Sequence, residues 1–395
     1  MKIVYISNKP IYPLLDGGCI AMNQFLKCLL TAGFDVKHFT LSTQKHPFSV
    51  DQYPEKLSSI IRPETVKIDT RIKPLKALTY LVKNGSYNMD RFTDSTFKKL
   101  ISKYISTNKI DVIILESIYL AGYVSAIRKY SAAKIIVRTH NVEYLIWERL
   151  AKNETSFLKR LYFKKLAKDL KKSELKYLQV VDGIACISRD DTFTFQKNGI
   201  TTPMATIFVA IEKQEKSIDY TTASFYHIGS MNWSPNLEAV NWLVTSIFPA
   251  IRKEVPNAKL YLAGSFMPKE FVTDATKGIE VVGFVDNVSD FMTTKGIMLA
   301  PLKSGSGVRI KILEGMSFGV PIITTEIGAE GINGQNGTDL FIAKNEAEFI
   351  QAAISLSNSK EKRASLGSNA KQYIENNYQI EPITKKIIEF IQHIS

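Results

Sequence analysis

Short β-branched runs alternate with longer stretches of helical composition along almost the whole chain, and this alternation restricts the fold more than any other feature. KIVYIS (2–7), DVKHFTL (35–41), DVIILES (111–117), KIIVRTH (134–140) and GIACIS (183–188) form a first series. FYHIGSM (225–231), KLYLAGS (259–265), IEVVGFV (279–285), GIMLAPL (296–302) and VPIITTE (320–326) form a second. Continuous apolar strands separated by helices predict parallel sheets covered on both faces, which is α/β architecture. A chain of 395 residues is too long for one ordinary core. The expectation is therefore two Rossmann-like, doubly wound domains facing across a cleft. The N-terminal domain is placed at 1–206, a polar hinge at 207–224 and the C-terminal domain at 225–375. A final helical segment, 376–395, is expected to pack back on the N-terminal domain, with a helix break near Pro382. In doubly wound sheets, ligands sit beyond the carboxyl ends of the strands.

Composition removes several classes. Hydrophobic residues make up 45% and charged residues 23%, a globular balance without solenoid repeats. The start, MKIVYISNKPIYPLL, lacks a signal-peptide core, and no run of about 18 apolar residues predicts a membrane span. Cys19, Cys28 and Cys186 are odd in number and lack metal-ligand spacing, which predicts thiols in a reducing compartment and a cytoplasmic location. Lys and Arg outnumber Asp and Glu by 51 to 38, a net charge of +13. That balance favours anionic partners: nucleic acid, membrane surface or phosphorylated substrates. No nucleic-acid module or aromatic–basic interleaving is present, so nucleic acid is not expected as a partner.

The densest chemistry lies in LAPLKSGSGVRIKILEGMSFGVPIITTEIGAEGI (299–332). A strand runs into a loop containing Gly305, Ser306, Gly307 and Val308, and a helix follows. Glycines let backbone N–H groups approach an anion, and a helix N-terminus adds about half a positive charge. Arg309 and Lys311, at or just before the first helical turn, add more. Glu314 lies further along the helix, where a carboxylate can accept hydrogen bonds from ribose hydroxyls. The pattern suits a nucleoside diphosphate; on residues alone it also reads as an ordinary loop followed by a solvated basic face. The first strand leads to Gly17-Gly18 rather than G-x-G-x-x-G, which disfavours a nicotinamide cofactor. Gly17 and Gly18 read equally as a helix-entry turn and as a close approach to a pyrophosphate. His140, at the end of a strand, has the best context of five histidines; as a lone residue it reads as a core or loop histidine. No Asp-x-Asp or metal-ligand cluster occurs, so no metal and no cofactor are expected. The stretch FLKRLYFKKLAKDLKKSELKYL (157–178) is strongly basic. It reads either as a solvated helix or as one drawn to an anionic membrane surface.

Residues 299–332 resemble the donor-binding region of retaining glycosyltransferases with the GT-B fold, of the glycosyltransferase family 4 type and a bacterial sugar-transferase subgroup of it. The matching residues are Pro301-Leu302, Gly305–Gly307, Lys311, Glu314-Gly315-Met316, Gly319-Val320-Pro321 and Thr324. The resemblance extends over almost the whole chain: GGCIAMNQFLKCLLTAG resembles the N-terminal glycine loop, RTHNVEYLIWERLA the His-Asn-x-Glu stretch, and VVGFVDNVSDFM the loop against the nucleobase. It implies a nucleotide-sugar substrate, UDP- or GDP-linked, and a glycan or polyprenyl-diphosphate-linked acceptor. It also implies retention of configuration and a role in cell-surface polysaccharide synthesis. It implies that Glu314 binds ribose, that Val285 lies near the base, and that His140 contacts the transferred sugar while Glu143 orients it or binds acceptor. Two departures stand out. Ser306 occupies the place of the first of two family glutamates. The usual Arg/Lys pair that grips the diphosphate is replaced by Gly229, Ser230, Met231 and the Asn232–Asn236 stretch, so Arg309 and Lys311 are expected to take its charge. The alternatives are a non-hydrolysing sugar-nucleotide epimerase of similar architecture and a catalytically silent nucleotide-sugar binder.

Overall fold

The computed structural model describes residues 1–394 except 74–78, 81–84, 217 and 306. It contains two wholly parallel sheets. The first has seven strands, β1 (Lys2–Ser7), β2 (Asp35–Ser42), β3 (Glu64–Lys67), β4 (Val112–Glu116), β5 (Lys134–Thr139), β6 (Gly183–Cys186) and β7 (Met204–Thr206), in the order β3-β2-β1-β4-β5-β6-β7. The second has six, β8 (Phe225–Ile228), β9 (Leu260–Ala263), β10 (Ile279–Gly283), β11 (Ile297–Ala300), β12 (Ile322–Thr325) and β13 (Phe341–Ala343), in the order β10-β9-β8-β11-β12-β13. The α/β reading of the sequence thus holds. Both orders reverse direction once, between β1 and β4 and between β8 and β11. Loops leaving adjacent strands at such a switch point diverge to opposite faces and open a crevice.

The central strands are buried on both faces: Ile3, Val4, Tyr5, Ile6, Val112, Ile113, Ile114 and Leu115 are fully inaccessible. Their apolar runs are therefore continuous rather than alternating. Strands β3, β7 and β13 were not anticipated. Each is three or four residues long and lies at a sheet edge, too short to carry a periodic signal.

The chain separates into two compact units, Met1–Ala210 with Ile380–Ser395, and Ile211–Gln379. In the first unit the helix Ile380–Ile394 packs on the helix Gly17–Thr31. Ile383, Ile387, Phe390, Ile391 and Ile394 form its buried stripe at helical spacing. Phe390 reaches β6 at Gly183, where an added Cβ would lie 2.9 Å from the ring. The helix break expected near Pro382 falls between Asn377 and Ile380; the proline itself stands in the first turn of the second helix, where a missing N–H costs nothing.

Candidate active site

At the switch point of the second sheet, β8 ends in Ile228 and continues to Gly229, while its neighbour β11 ends in Ala300 and continues through the glycine loop. The backbone here is crowded. Gly264, which follows β9, has φ +137°, and an added Cβ would lie 1.7 Å from the Gly229 carbonyl oxygen. Only glycine fits there. A Cβ on Gly229 would in turn lie 2.5 Å from the Asn236 amide nitrogen.

That close approach seats Asn236 inside the site. Its Nδ2 donates to the Ser230 carbonyl (3.0 Å), and its Oδ1 accepts from Lys311 Nζ (2.8 Å). Lys311 Nζ also donates to the Ile228 carbonyl (2.8 Å) and stands 3.4 Å from His227 Nε2. His227 is fully buried, and its Nδ1 lies 2.8 Å from the Leu299 carbonyl, which can only accept. Nδ1 therefore carries the proton and Nε2 presents a lone pair to Lys311. Burial, then the Lys311 charge, holds His227 well below the ordinary histidine range. Lys311 has no carboxylate partner among the described residues. Burial, with the neighbouring Arg309 adding to it, brings its ammonium down to about 7.

Arg309 is the residue before the helix Ile310–Ser317, and no side chain caps that helix. Its guanidinium donates to the Gly307 carbonyl (2.7 Å) and lies 5.3 Å from the Trp233 ring centroid. Gly305 (φ +101°) passes against the same tryptophan, and Gly307 is also left-handed (φ +79°). Arg309 therefore braces the glycine loop in addition to any role toward an anion. Val308 is partly buried beside it, and Ser306 lies outside the described residues. Glu314, one turn past Lys311, has no side-chain hydrogen bond or ion pair among the described residues, and burial raises its carboxyl to about 7. Ser230 donates to exposed Asn232 (2.8 Å). Val285 is partly buried, two residues past Gly283, in a loop whose Phe284 is exposed.

In the first unit a second constellation sits at the carboxyl ends of β1, β4 and β5. Glu116 and Arg138 are fully buried and paired, with Arg138 donating at 3.0 Å to both carboxylate oxygens. Tyr5 donates to the same carboxylate (2.5 Å), and His140 Nε2 lies 2.6 Å from Glu116 Oε2. Burial pushes Glu116 up, but Arg138, His140 and Tyr5 together hold it below the usual carboxylate range. An ionised carboxylate only accepts, so Nε2 of His140 carries the proton and Nδ1 is the bare nitrogen. Burial lowers His140 despite Glu116, so the ring is a neutral acceptor. The carboxylate that orients His140 is therefore Glu116, not Glu143. Glu143 accepts instead from Tyr119 (2.7 Å) and weakly from Asn141 (3.5 Å), and burial raises it. Its backbone N–H and that of Tyr144 donate to Glu174 (both 3.1 Å), which anchors this helix start.

Gly17 and Gly18 open the helix Gly17–Thr31, with Asp16 as the capping residue accepting from Cys19 N–H (2.9 Å). Lys9 holds both Asp16 oxygens at 2.7 Å. A carboxylate thus already sits at this helix start, which favours the turn reading of the two glycines.

Lys311 and Glu314 could be read together because they are neighbours in sequence. His227, Gly264, Glu116, Arg138 and Tyr5 carried no such signal, and Asn236 and Trp233 entered only within the Asn232–Asn236 stretch. The one local signal for the first-unit network was a charge in each of two otherwise apolar strands, Glu116 in DVIILES and Arg138 in KIIVRTH. Among the described residues no cluster of three or more His, Cys, Asp or Glu side chains could hold a metal ion.

Residues 222–359 match the family described as Glycosyl transferases group 1. An uncharacterised 44.6 kDa protein in the cps region of Klebsiella pneumoniae is 24% identical over 98% of this chain and 99% of its own length. The sucrose-phosphate synthase of Thermosynechococcus elongatus superposes with a TM-score of 0.69 at 12% identity, covering 100% of this chain and 99% of that one. Anabaena HepE, solved in complex with UDP, superposes at 0.66 with 12% identity and full coverage of both chains. The chain thus has the GT-B fold, and its residues 222–359 are similar to the glycosyl transferases group 1 family.

Proposed function

We propose that this protein transfers a hexose-type sugar from a nucleoside-diphosphate donor to a glycan or lipid-linked acceptor, retaining configuration and using no metal ion. The observation that carries the reading is the pair Lys311 and Glu314 at the second switch point. A buried ammonium without a counter-carboxylate and a buried carboxyl without a hydrogen-bond donor, among the described residues, lie one helical turn apart. Burying a charge without such a partner is unfavourable. A diphosphate would satisfy the first and ribose hydroxyls the second.

In this reading Lys311, the uncapped start of the helix Ile310–Ser317 and Arg309 stabilise the charge that develops on the leaving diphosphate. They take the part a metal would otherwise play. His140, as a neutral ring fixed by Glu116, accepts through Nδ1 from a hydroxyl of the transferred sugar. A uridine donor is preferred, because the similar Anabaena protein is solved with UDP and with UDP-glucose. The similarity to a protein of a cps region supports a place in polysaccharide synthesis.

The test is nucleotide release from UDP- and GDP-sugars, with and without lipid-linked acceptor, in the presence of EDTA. Acceptor-dependent UDP release that EDTA leaves unchanged, with NMR showing the donor's anomeric configuration in the product, supports the proposal. Interconversion of the sugar without release would make the protein an epimerase. Lys311→Met should weaken UDP binding by about 10- to 100-fold, the loss of one desolvated charge-assisted contact of ~1.5–3 kcal/mol.

A further inference from the structure

In the first unit the helices Glu143–Asn153 and Phe157–Leu178 pack side by side, and a pocket of about 530 Å³ opens along their seam. Lys152, Arg160, Lys164, Lys168 and Lys171 line it, against one carboxylate, Glu148. Arg160, Lys164 and Lys168 follow at four-residue steps and Lys171 three later, so they share one face of the helix. Like charges at these spacings repel and weaken a helix.

The helix does not compensate them itself. Of its two carboxylates, Asp169 is bound to Lys165, while Glu174 is buried under the start of the neighbouring helix. None of the five cations has an ion-pair partner among the described residues. Beside the amino-terminal end of the basic stripe, Phe157, Leu158 and Leu161 are 62%, 76% and 48% exposed. Leu150 of the adjoining helix is exposed as well.

A basic stripe alone would suit any polyanion. Large apolar side chains standing in water next to it favour a partner that is anionic at its surface and apolar just beneath. We propose that this helix pair docks on an anionic lipid bilayer. The stripe meets headgroup phosphates, while Phe157, Leu158 and Leu161 enter the acyl boundary. The helix is too polar to span a membrane, in keeping with attachment in the interfacial plane. The inference is independent of the nucleotide site. If the transferase reading also holds, Glu174 links the docked helix directly to the segment carrying His140 and Glu143, so docking would orient that segment toward a lipid-linked acceptor.

The test is co-sedimentation with phosphatidylcholine vesicles, with and without phosphatidylglycerol, at low and high salt, with UDP affinity and circular dichroism measured on every protein. The wild type should sediment with the anionic vesicles only, and less at high salt. Each lysine near an anionic surface strengthens binding roughly five-fold. Lys164→Gln with Lys168→Gln should therefore weaken vesicle binding by about 25-fold and leave UDP affinity and helicity unchanged. Leu158→Ser with Leu161→Ser should also release the protein from vesicles. Three results would overturn the proposal: no binding to anionic vesicles, equal binding to neutral ones, or undiminished binding by the leucine variant. Tight binding of inorganic pyrophosphate without vesicle binding would overturn it too, and reassign the stripe to a soluble anion. Loss of UDP binding by the wild type would count against the transferase reading alone.

Discussion

Burial moves Lys311 and Glu314 to about the same pH from opposite directions, and under the proposed function this makes nucleotide binding proton-linked in a definite way. Burial lowers Lys311 to about 7 and raises Glu314 to about 7. A diphosphate favours the ammonium, so above pH 7 binding must take up a proton and affinity falls as pH rises. Ribose hydroxyls favour the carboxylate, so below pH 7 binding must release a proton and affinity falls as pH drops. UDP-glucose affinity should therefore peak near pH 7, with limbs of up to about tenfold per pH unit. Its sugar-capped diphosphate has no group titrating in that window. Calorimetry across pH 5.5–8.5, roughly the range over which such groups change charge, checks the shape. Lys311→Met should flatten the alkaline limb and Glu314→Gln the acid limb; a flat wild-type profile would reject both assignments. These two residues were legible because the features that single them out, a glycine loop and a helix start, lie within ten residues of them. The groups that set their environment were not. Asn236 and His227 precede Lys311 by 75 and 84 residues and reach it only through the pairing of β8 with β11. Much the same holds for His140. Its strand-end position was readable, but its partner Glu116 lies on the neighbouring strand, while the nearby Glu143 turned toward Tyr119.

Among elements, the most constrained point is where the ends of β8 and β9 meet. Gly264 donates to the Gly283 carbonyl (2.6 Å) and has no room for a Cβ against the Gly229 carbonyl. Its left-handed φ adds strain for any other residue. Gly264→Ala should destabilise the second unit by about 3 kcal/mol or more, as expected for overpacking combined with a forbidden backbone conformation. Because the displaced carbonyl belongs to Gly229, the Asn236–Lys311 contact should shift with it and UDP affinity should fall. Denaturant unfolding and UDP titration of the same variant would test this. A stable variant with native affinity would show that the strand ends have slack. This junction was hidden in the sequence, where Gly264 was one glycine of KLYLAGS. Its demand for glycine arises from a backbone carbonyl 35 residues earlier, brought close by parallel pairing. The edge strands β3, β7 and β13 were missed for a different reason, since three or four residues hold too few alternations to show a period.

The whole molecule joins its two ends in one unit. The first sheet is complete by Thr206, yet the helix Ile380–Ile394 that covers Gly183 and the helix Gly17–Thr31 arrives only at the end of the chain. Ile383, Ile387, Phe390 and Ile391 are almost fully buried there. At about 1.5–3 kcal/mol for each buried side chain, they contribute on the order of 6–12 kcal/mol. That is comparable to the ~5–15 kcal/mol that stabilises an entire domain. Deleting residues 380–395 should therefore unfold or loosen the first unit, while the second, Ile211–Gln379, keeps its own core and the Lys311–Glu314 pair. Calorimetry of the full chain should resolve two transitions, only one of which rises with added UDP, since a ligand stabilises only the unit that binds it. In the truncated chain the UDP-insensitive transition should weaken or vanish and the UDP-sensitive one should persist. A single transition that UDP raises as a whole, lost entirely on truncation, would show instead that the two units fold as one cooperative body and that the terminal helix supports the nucleotide site as well.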